Sequence, residues 1–399
     1  MAMQGGFGGF GGFGGFGGFG SSGGFGGFGG FGGFGGFGGF GGFGGFGGFG
    51  AGVPVDPQAL IGHREGIVGS WSTPSVYPAQ RTQNQLAHHE LWEPWVRAAL
   101  LDFELASRLH FAPEQLSTTG ASGFTLWDVG LGSPSAAGSV TASTHRIVHL
   151  VRPPDGSGST GFWAKQLDLV ANWSELRAER CGEILSQLTP PVVFWASVLG
   201  MDTQRHKWTL ELLGTALRLA NYVEMQCKHV LACRRPVEMS AQLQPMIQTP
   251  GHSSLPSGHA TEAHICAYLL WKLRLAASSS YPFVGFEQLM RQAARVAINR
   301  TVAGVHFPAD SAAGQVLGLA LGEYLEHRAT GSAQYSSWQF DGTAYGPTLD
   351  FDWREQWQAT GDTRRNAPSG FSAEIAANES SVTAPLLADL WAKARGEWT

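Results

Sequence analysis

Helical periodicity is the strongest signal along the chain, and it begins near residue 160. Apolar side chains recur there at three- and four-residue spacing, as in the row Trp163, Leu167, Val170 and Trp173. The same spacing, bounded by proline and turn residues, predicts further helices over residues 206–235, 259–276, 285–302, from Pro308 onward and at 384–396. The pattern predicts an all-α fold in which these helices form a bundle.

The remaining segments are less regular. Residues 84–110 predict one or two helices broken near Pro94, residues 120–140 have the composition of a loop, and the chain after Ala329 is aromatic-rich without a period. We therefore expect four parts, which are a low-complexity tail, an N-terminal helical and loop region packed on the core, a catalytic helical bundle and an aromatic-rich C-terminal extension. Their boundaries are 1–52, 53–160, 161–330 and 331–399.

The first fifty residues are a Gly-Gly-Phe repeat interrupted by Ser21 and Ser22. They hold 14 of the 25 phenylalanines and carry no charge. A period of three matches neither a helix nor a strand, and a glycine-rich backbone loses much entropy on ordering, so we predict disorder. Two interpretations stay open. The spaced phenylalanines promote self-association, or the tract is an expanded repeat with no function.

Composition narrows the classes of protein further. The chain is 43% hydrophobic and 14% charged, with a net charge of -5 and no Lys/Arg-rich run, which predicts a globular protein that does not bind nucleic acid. The absence of a signal-peptide pattern and of a bilayer-length apolar stretch predicts a soluble, cytoplasmic protein with no membrane span. The four cysteines show no C-x-x-C pairing, so we expect free thiols: Cys181, Cys227, Cys233 and Cys266.

Three short stretches carry groups that together suit a tetrahedral oxyanion. They are "KHVLACRRP", "PSGH" and "RTVAGVHFPAD", and they supply cations, neutral donors and imidazoles: Lys228, Arg235, Ser257, Gly258, His259, Arg300, His306 and Asp310. Three cations offset a multiply charged anion, arginine through its planar fork, and a glycine N–H at a helix start faces an anion closely. Asp310 lies one helical turn after His306, so we expect it to accept the Nδ1 proton and to leave Nε2 unprotonated as nucleophile or ligand. His259 would then move protons on the opposite side.

These blocks resemble the acid phosphatase and vanadium haloperoxidase superfamily, also called the type 2 phosphatidic acid phosphatase family. Its pattern is K-x6-R-P, then P-S-G-H, then S-R-x5-H-x3-D, and the chain matches all three in order over roughly residues 160–325, with Asn299 in place of the serine. The resemblance implies an α-helical bundle whose site lies among the central helices.

The resemblance leaves two reactions open. A phosphatase would form a phosphohistidine on His306 and need no cofactor, whereas a haloperoxidase would hold vanadate through His306 and oxidise halide with hydrogen peroxide. His252, seven residues before His259, resembles the bromoperoxidase branch, where a second imidazole lines the halide side. Only about forty residues separate His259 from Arg300, which is closer to small phosphatases. We favour a haloperoxidase-like enzyme over a soluble phosphomonoesterase acting on a phosphoester, with a non-catalytic scaffold assembled through the tail as a third reading.

A zinc site explains the histidine-rich stretch less well. There is no H-E-x-x-H, and His259 and His264 are five residues apart, which places them off a common helical face. We therefore expect His264 to be structural.

Overall fold

The computed structural model describes residues 19–20, 24–25, 57–76, 86–116, 120–131, 142–156, 158, 161–189, 192–277, 285–331, 335–356, 370–377 and 383–398. The predicted disordered tail, residues 1–52, therefore lies outside the described residues except at 19–20 and 24–25. Its role in self-association and the four domain boundaries stay predictions. The chain divides into two units, one of residues 12–97 and one of residues 1–11 and 98–399.

The smaller unit contains short elements. Strand β1 (Phe19–Gly20) pairs antiparallel with β2 (Gly24–Phe25), helix α1 spans Pro57–Val68 and a 3-10 helix spans Leu86–Leu91. Arg97 donates to the carbonyl oxygens of His89 (3.5 Å) and Trp92 (2.5 Å), and these bonds hold the end of the 3-10 helix against the residues that follow it.

The larger unit contains the predicted helices and a sheet. Its helices are the part of α2 (Pro94–Ala106) that follows Arg97, α3 (Phe162–Trp173), α4 (Arg177–Ser186), α5 (Val192–Leu199), α6 (Lys207–Leu231), α7 (Pro236–Met239), α8 (Gly258–Ala277), α9 (Phe286–Val302), α10 (Pro308–Thr330) and α11 (Pro385–Gly396). Its strands are β3 (Leu109–Gln115), β4 (Ser122–Leu131), β5 (Ala142–Val151), β6 (Tyr335–Asp341) and β7 (Ser372–Ala377). Three 3-10 turns accompany them, Ser174–Leu176, Ala241–Leu243 and Trp353–Glu355.

The prediction of an all-α helical bundle is wrong, because the five strands form one mixed sheet in the order β3-β4-β5-β6-β7. Only β5 and β6 pair in parallel, and the other neighbours are antiparallel. The sheet packs against α10 and α6. The fold is therefore mixed α/β, with the long helices on the sheet rather than only on one another.

The strands escaped the sequence analysis because they lack a clear period of two. In β4 both faces are covered, so Phe124, Thr125 and Leu126 are consecutive buried residues, and in β5 burial is continuous from Ile147 to Val151. Strands buried on both faces lose the alternation that marks a half-exposed sheet. The last two strands come from the aromatic-rich C-terminal segment, where the same argument applies to β6.

Helices α8 and α10 lie unusually close because α10 presents a row of glycines to α8. A methyl group built on Gly314, Gly318 or Gly322 would meet Ser257 O at 2.6 Å, Thr261 O at 2.5 Å or the Tyr268 ring at 2.8 Å. Side chains at these positions would separate the two helices. Since α8 begins at Gly258 and α10 begins two residues after His306, this row sets the spacing between two of the predicted site segments.

Gly318→Ala is expected to lower the free energy of unfolding by about 1–3 kcal/mol, because the new methyl group meets backbone that cannot rotate away. Gly182→Ala is the matched control. Gly182 also lies inside a helix, but nothing lies within 4 Å of its Cβ position, so that change should stabilise the protein by about 0.5–1 kcal/mol. Chemical denaturation of both variants measures the difference, and equal stabilities would contradict close packing at α8 and α10.

Two carboxylates join distant parts of the larger unit. Glu397 accepts from the N–H groups of Trp208 and Thr209, both at 2.8 Å, and so caps the start of α6 from the end of the chain. Glu323 on α10 accepts from Ser336 N at 3.2 Å and Trp338 Nε1 at 2.9 Å, which connects the helix to β6.

In the part of the chain that the structure describes, no helix combines the length and the apolar character needed to cross a bilayer.

Candidate functional site

The three predicted stretches meet where α6 and α9 end and α8 and α10 begin. Gly258 is buried, and the other seven predicted residues are at most 7% exposed, although they come from three separate stretches of the chain. Ser257 N–H donates to Asp310 O at 2.9 Å, which joins the start of α8 to the first turn of α10. The structure therefore brings the predicted residues into one buried cluster.

His306 is held by Asp310 as the sequence predicted. Its Nδ1 lies 3.0 Å from Asp310 Oδ2, which also accepts from Phe307 N at 2.9 Å and from the hydroxyl of Ser254. Three donors converge on this one carboxylate oxygen, so Nδ1 of His306 carries the proton. Asp310 thus acts both as the cap of α10 and as the group that fixes the imidazole.

Arg235 identifies the tautomer of His306 independently. Its Nη1 lies 2.9 Å from His306 Nε2 and 2.8 Å from Val305 O, and its Nη2 lies 3.1 Å from Nδ1 of His252. A guanidinium only donates, so both imidazole nitrogens are acceptors. The lone pair of His306 Nε2 therefore faces Arg235, and the structure also places His252 beside this cation.

Lys228 uses its ammonium group on the loop that leads into α8. Nζ donates to Ser253 O at 3.3 Å, to Ser254 O at 3.0 Å and to the carbonyl of Pro256. An ammonium has three donors, so these three carbonyls account for all of them. Lys228 thus holds the Pro-Ser-Gly turn in place, and its positive charge lies next to the main chain of this turn.

Arg300 is the cation with donors to spare. Its Nη2 donates to Gln187 Oε1 at 2.9 Å and to Ile184 O at 3.3 Å, while Nε and Nη1 have no hydrogen-bond partner among the residues that the structure describes. The side chain is 1% exposed. A buried guanidinium with unmade hydrogen bonds is costly, and an anion is the ligand that offsets this cost.

The start of α8 supplies the remaining predicted groups. Ser257 Oγ accepts from Ala260 N at 3.4 Å and so caps the helix, whose first residue is Gly258. His259 Nε2 donates to the main-chain oxygen of Gln187 at 2.8 Å, because a carbonyl only accepts. A side chain at position 258 would require the Glu224 carboxylate to shift, since its Oε1 lies 2.8 Å from the Cβ position.

Burial and the clustered positive charges shift the pKa values of the imidazoles downward. The pKa of His306 is well below its usual value because of burial, with Arg235 and Lys228 adding to the effect. Burial, followed by Arg300, lowers the pKa of His259 to about 3. Both imidazoles are therefore neutral around pH 7, which suits His306 as a nucleophile or ligand.

The cations and acids are shifted too. Burial lowers the pKa of Lys228 to about 8 and those of Arg235 and Arg300 to about 10. Burial raises the pKa of Asp310, although its hydrogen bonds and the neighbouring cations oppose that change. The site therefore keeps its positive charge around neutral pH.

The sequence analysis missed three polar residues at this site. Gln187 contacts both Arg300 and His259, and no motif singled it out. Glu224 lies one helical turn before Lys228, and burial raises its pKa to about 7, while burial and then Glu224 raise the pKa of Glu262 well above its usual value. Spacing contained a signal for Glu224, four residues before Lys228, and for Glu262, three residues after His259, since each shares a helical face with a predicted site residue.

His264 lies outside this cluster of contacts. Its Nδ1 donates to Ala260 O at 2.7 Å, one turn back on α8, and its ring contacts Phe351 edge-on.

Among the described residues, no group of three or more His, Cys, Asp or Glu side chains is arranged to hold a metal ion. Cys227, Cys233 and Cys266 are buried, Cys181 is partly exposed, and all four are free thiols.

Comparison with known proteins agrees with this geometry. Residues 209–327 match the model of the PAP2 superfamily, and this range contains Lys228, Arg235, Ser257, His259, Arg300, His306 and Asp310. No curated protein matches the chain. The match over residues 209–327 is consistent with the acid phosphatase and haloperoxidase superfamily that the three sequence blocks resemble.

Proposed function

We propose that this protein is a phosphatase-type enzyme that hydrolyses phosphomonoesters through a phosphohistidine at His306. The observation that carries the proposal is the buried Arg300, whose two unpartnered nitrogens face no acceptor among the described residues. Together with Arg235 and Lys228 it supplies the charge that a phosphoryl dianion needs, and the neutral His306 supplies the nucleophile.

The first half-reaction follows from the tautomer of His306. As the substrate binds, Arg235 moves its Nη1 donor from His306 Nε2 to a phosphoryl oxygen, and the freed Nε2 lone pair attacks phosphorus. The bond from phosphorus to the ester oxygen breaks, and the leaving alkoxide takes a proton from His259. Asp310 holds the Nδ1 proton and stabilises the positive charge that forms on the ring. Arg300 and Arg235 hold the equatorial oxygens, on which charge accumulates in the transition state.

The second half-reaction returns both imidazoles to their starting states. His259, neutral after giving its proton away, accepts a proton from water while the water oxygen attacks phosphorus. The phosphorus–Nε2 bond breaks, His306 leaves as neutral imidazole, and inorganic phosphate departs. One water is consumed for each ester bond cleaved.

Anion binding raises the pKa of His259, so that this imidazole takes up from solvent the proton that it later donates. Without a bound anion His259 is neutral at pH 7, since burial and then the charges of Arg300, Lys228 and Arg235 lower its pKa. A bound dianion offsets these positive charges, so the pKa of His259 rises and the complex takes up a proton. The substrate thereby prepares its own general acid.

A vanadium haloperoxidase is a second candidate, and the position of His252 favours it. The Nδ1 of His252 lies 3.1 Å from Arg235 Nη2, which places a second imidazole at the same cation that contacts His306. The residues present fit vanadate, because the unpartnered donors of Arg300 suit any tetrahedral oxyanion. Vanadate would be held by His306 Nε2, Arg235, Arg300 and the start of α8, and when bound it would supply peroxide activation for halide oxidation.

A single titration distinguishes the two candidates. Orthovanadate is added to the purified protein while phosphomonoester hydrolysis is followed in one sample and bromide oxidation by hydrogen peroxide in another. A phosphatase is inhibited competitively and yields no brominated product, because vanadate mimics the phosphoryl transition state. Vanadate-dependent bromination that His252→Ala impairs would support the haloperoxidase instead, and the absence of both reactions would contradict both proposals.

Oxyanion affinity should fall above about pH 8. Lys228 has its pKa lowered to about 8 by burial and by Arg235, with Glu224 and Asp310 opposing the shift, so its charge is present below pH 8 and is lost above it. An ordinary lysine would keep its charge to about pH 10. Calorimetry with sulfate measures this cleanly, since the charge of sulfate is constant over the range.

Glu224→Gln provides the control for that pH dependence. Removing the carboxylate that raises the pKa of Lys228 should move the loss of sulfate affinity to lower pH. A sulfate affinity that stays constant to pH 10 in the unmodified protein would show that Lys228 keeps its charge there.

A further inference from the structure

We propose that Gln187 is a positioning residue that orients Arg300 for the bound oxyanion and His259 for proton transfer. Gln187 follows the last residue of α4, and it is fully buried. Its side-chain oxygen Oε1 accepts from Arg300 Nη2 at 2.9 Å, and its main-chain oxygen accepts from His259 Nε2 at 2.8 Å. One residue outside the three sequence blocks thus contacts both a cation and the acid–base imidazole.

The contact with Arg300 selects which nitrogens face the anion. Because Nη2 is engaged by Gln187 Oε1 and Ile184 O, the two nitrogens that remain are Nε and Nη1. The guanidinium is planar, so fixing one corner fixes the direction of the whole fork. Without Gln187 the side chain would lose an acceptor and part of this orientation.

Asn299 also contacts Gln187, and this contact explains why an asparagine stands where the family pattern has a serine. Its Nδ2 donates to Gln187 Oε1 at 3.0 Å, and its Oδ1 accepts from Arg180 Nη1 at 3.1 Å. Gln187 Oε1 therefore receives two donors, and Asn299 is itself anchored by a cation on α4. A serine is too short to bridge both partners, so this chain pairs Asn299 with Gln187.

The main-chain oxygen of Gln187 fixes the imidazole of His259. Since Nε2 of His259 donates to a main-chain carbonyl, the neutral ring carries its proton on Nε2 and leaves Nδ1 as the acceptor. This contact does not depend on the side chain at position 187. Substitution there consequently leaves the His259 contact in place and removes the side-chain contacts with Arg300, Asn299 and Glu183. The change in the Arg300→Lys background isolates the first of these.

The test is a double-mutant cycle on orthovanadate affinity, measured by calorimetry. Gln187→Met keeps the length of the side chain but removes its acceptor, and it should weaken orthovanadate binding about tenfold in the wild-type background. In an Arg300→Lys background the same change should cost less than about threefold, because the ammonium has no planar fork to orient. Ser186→Ala, which removes only a bond to Gly182 O, is the matched control and should leave affinity unchanged.

The outcomes separate this inference from the proposed function on which it rests. Equal losses from Gln187→Met in both backgrounds, or no loss in the wild type, would overturn the positioning role while the oxyanion site stands. Failure of the wild-type protein to bind orthovanadate would overturn the oxyanion site and the positioning role together. A thermal melt of each variant identifies a lowered affinity that comes from unfolding rather than from orientation.

Discussion

Replacing His306 with alanine is expected to lower turnover by about 10⁴-fold or more, because this imidazole is the only group proposed to bond to the reacting centre. The fold should survive. Arg235 loses one acceptor but still donates from Nη1 to Val305 O at 2.8 Å and from Nε to His252 O at 2.9 Å. Steady-state kinetics on the best phosphomonoester, or on bromide, measures the loss.

His229→Ala is the matched control for that experiment. His229 is exposed and adjoins Lys228 in the chain, so its removal tests whether loss of any imidazole near the site matters. It should leave turnover within about twofold of wild type, as expected for an exposed position. Residual activity above a few per cent in His306→Ala would remove His306 from the centre of both proposed mechanisms.

Replacing Asp310 with alanine is expected to lower turnover by about 10³-fold or more and to destabilise the protein. Its Oδ2 accepts from Ser254, His306 and Phe307, so alanine leaves the hydroxyl, the imidazole and a helix-start N–H without that acceptor. The imidazole would then no longer be fixed with its proton on Nδ1. Kinetics and thermal denaturation together measure the two effects.

Asp310→Asn should be milder, with a loss of about 10–100-fold. Oδ1 of Asp310 has no partner among the described residues, so an asparagine can place its oxygen at the Oδ2 position and keep all three donors satisfied. What it loses is the negative charge that stabilises a protonated His306. Asp352→Asn is the control, because Asp352 is an exposed cap of a 3-10 turn. It should leave turnover unchanged. Equal activity of Asp310→Ala and wild type would contradict the assignment.

The sequence indicated which side chains lie together because their spacings along the chain are short, while the roles assigned to them stay predictions. Asp310 lies four residues after His306, and a helix that starts between them makes this a direct contact. The contacts of Lys228 and Arg235 were harder to predict from spacing. Their spacing predicted two cations at an anion, but Lys228 donates to three main-chain carbonyls, which no local pattern could indicate.

The sheet was missed for a different physical reason. Strands β4 and β5 are covered on both faces, and long-range pairing of β5 with β6 joins residues almost two hundred positions apart. Neither continuous burial nor a distant partner leaves a trace in a local hydrophobic period. Gln187 was missed similarly, since its importance comes from contacts with Asn299 and Arg300, more than a hundred residues later.

The glycines of α10 bear on how variants of this protein should be interpreted. Gly314 lies one turn after Asp310, and its neighbour across the interface is the main chain of Ser257, the residue just before Gly258 and His259. A larger side chain there would shift the acid–base imidazole away from His306 without touching either. A screen that records only activity would therefore classify these glycines as catalytic residues. A parallel measurement of stability would show that the substitutions act by changing the spacing between the two helices.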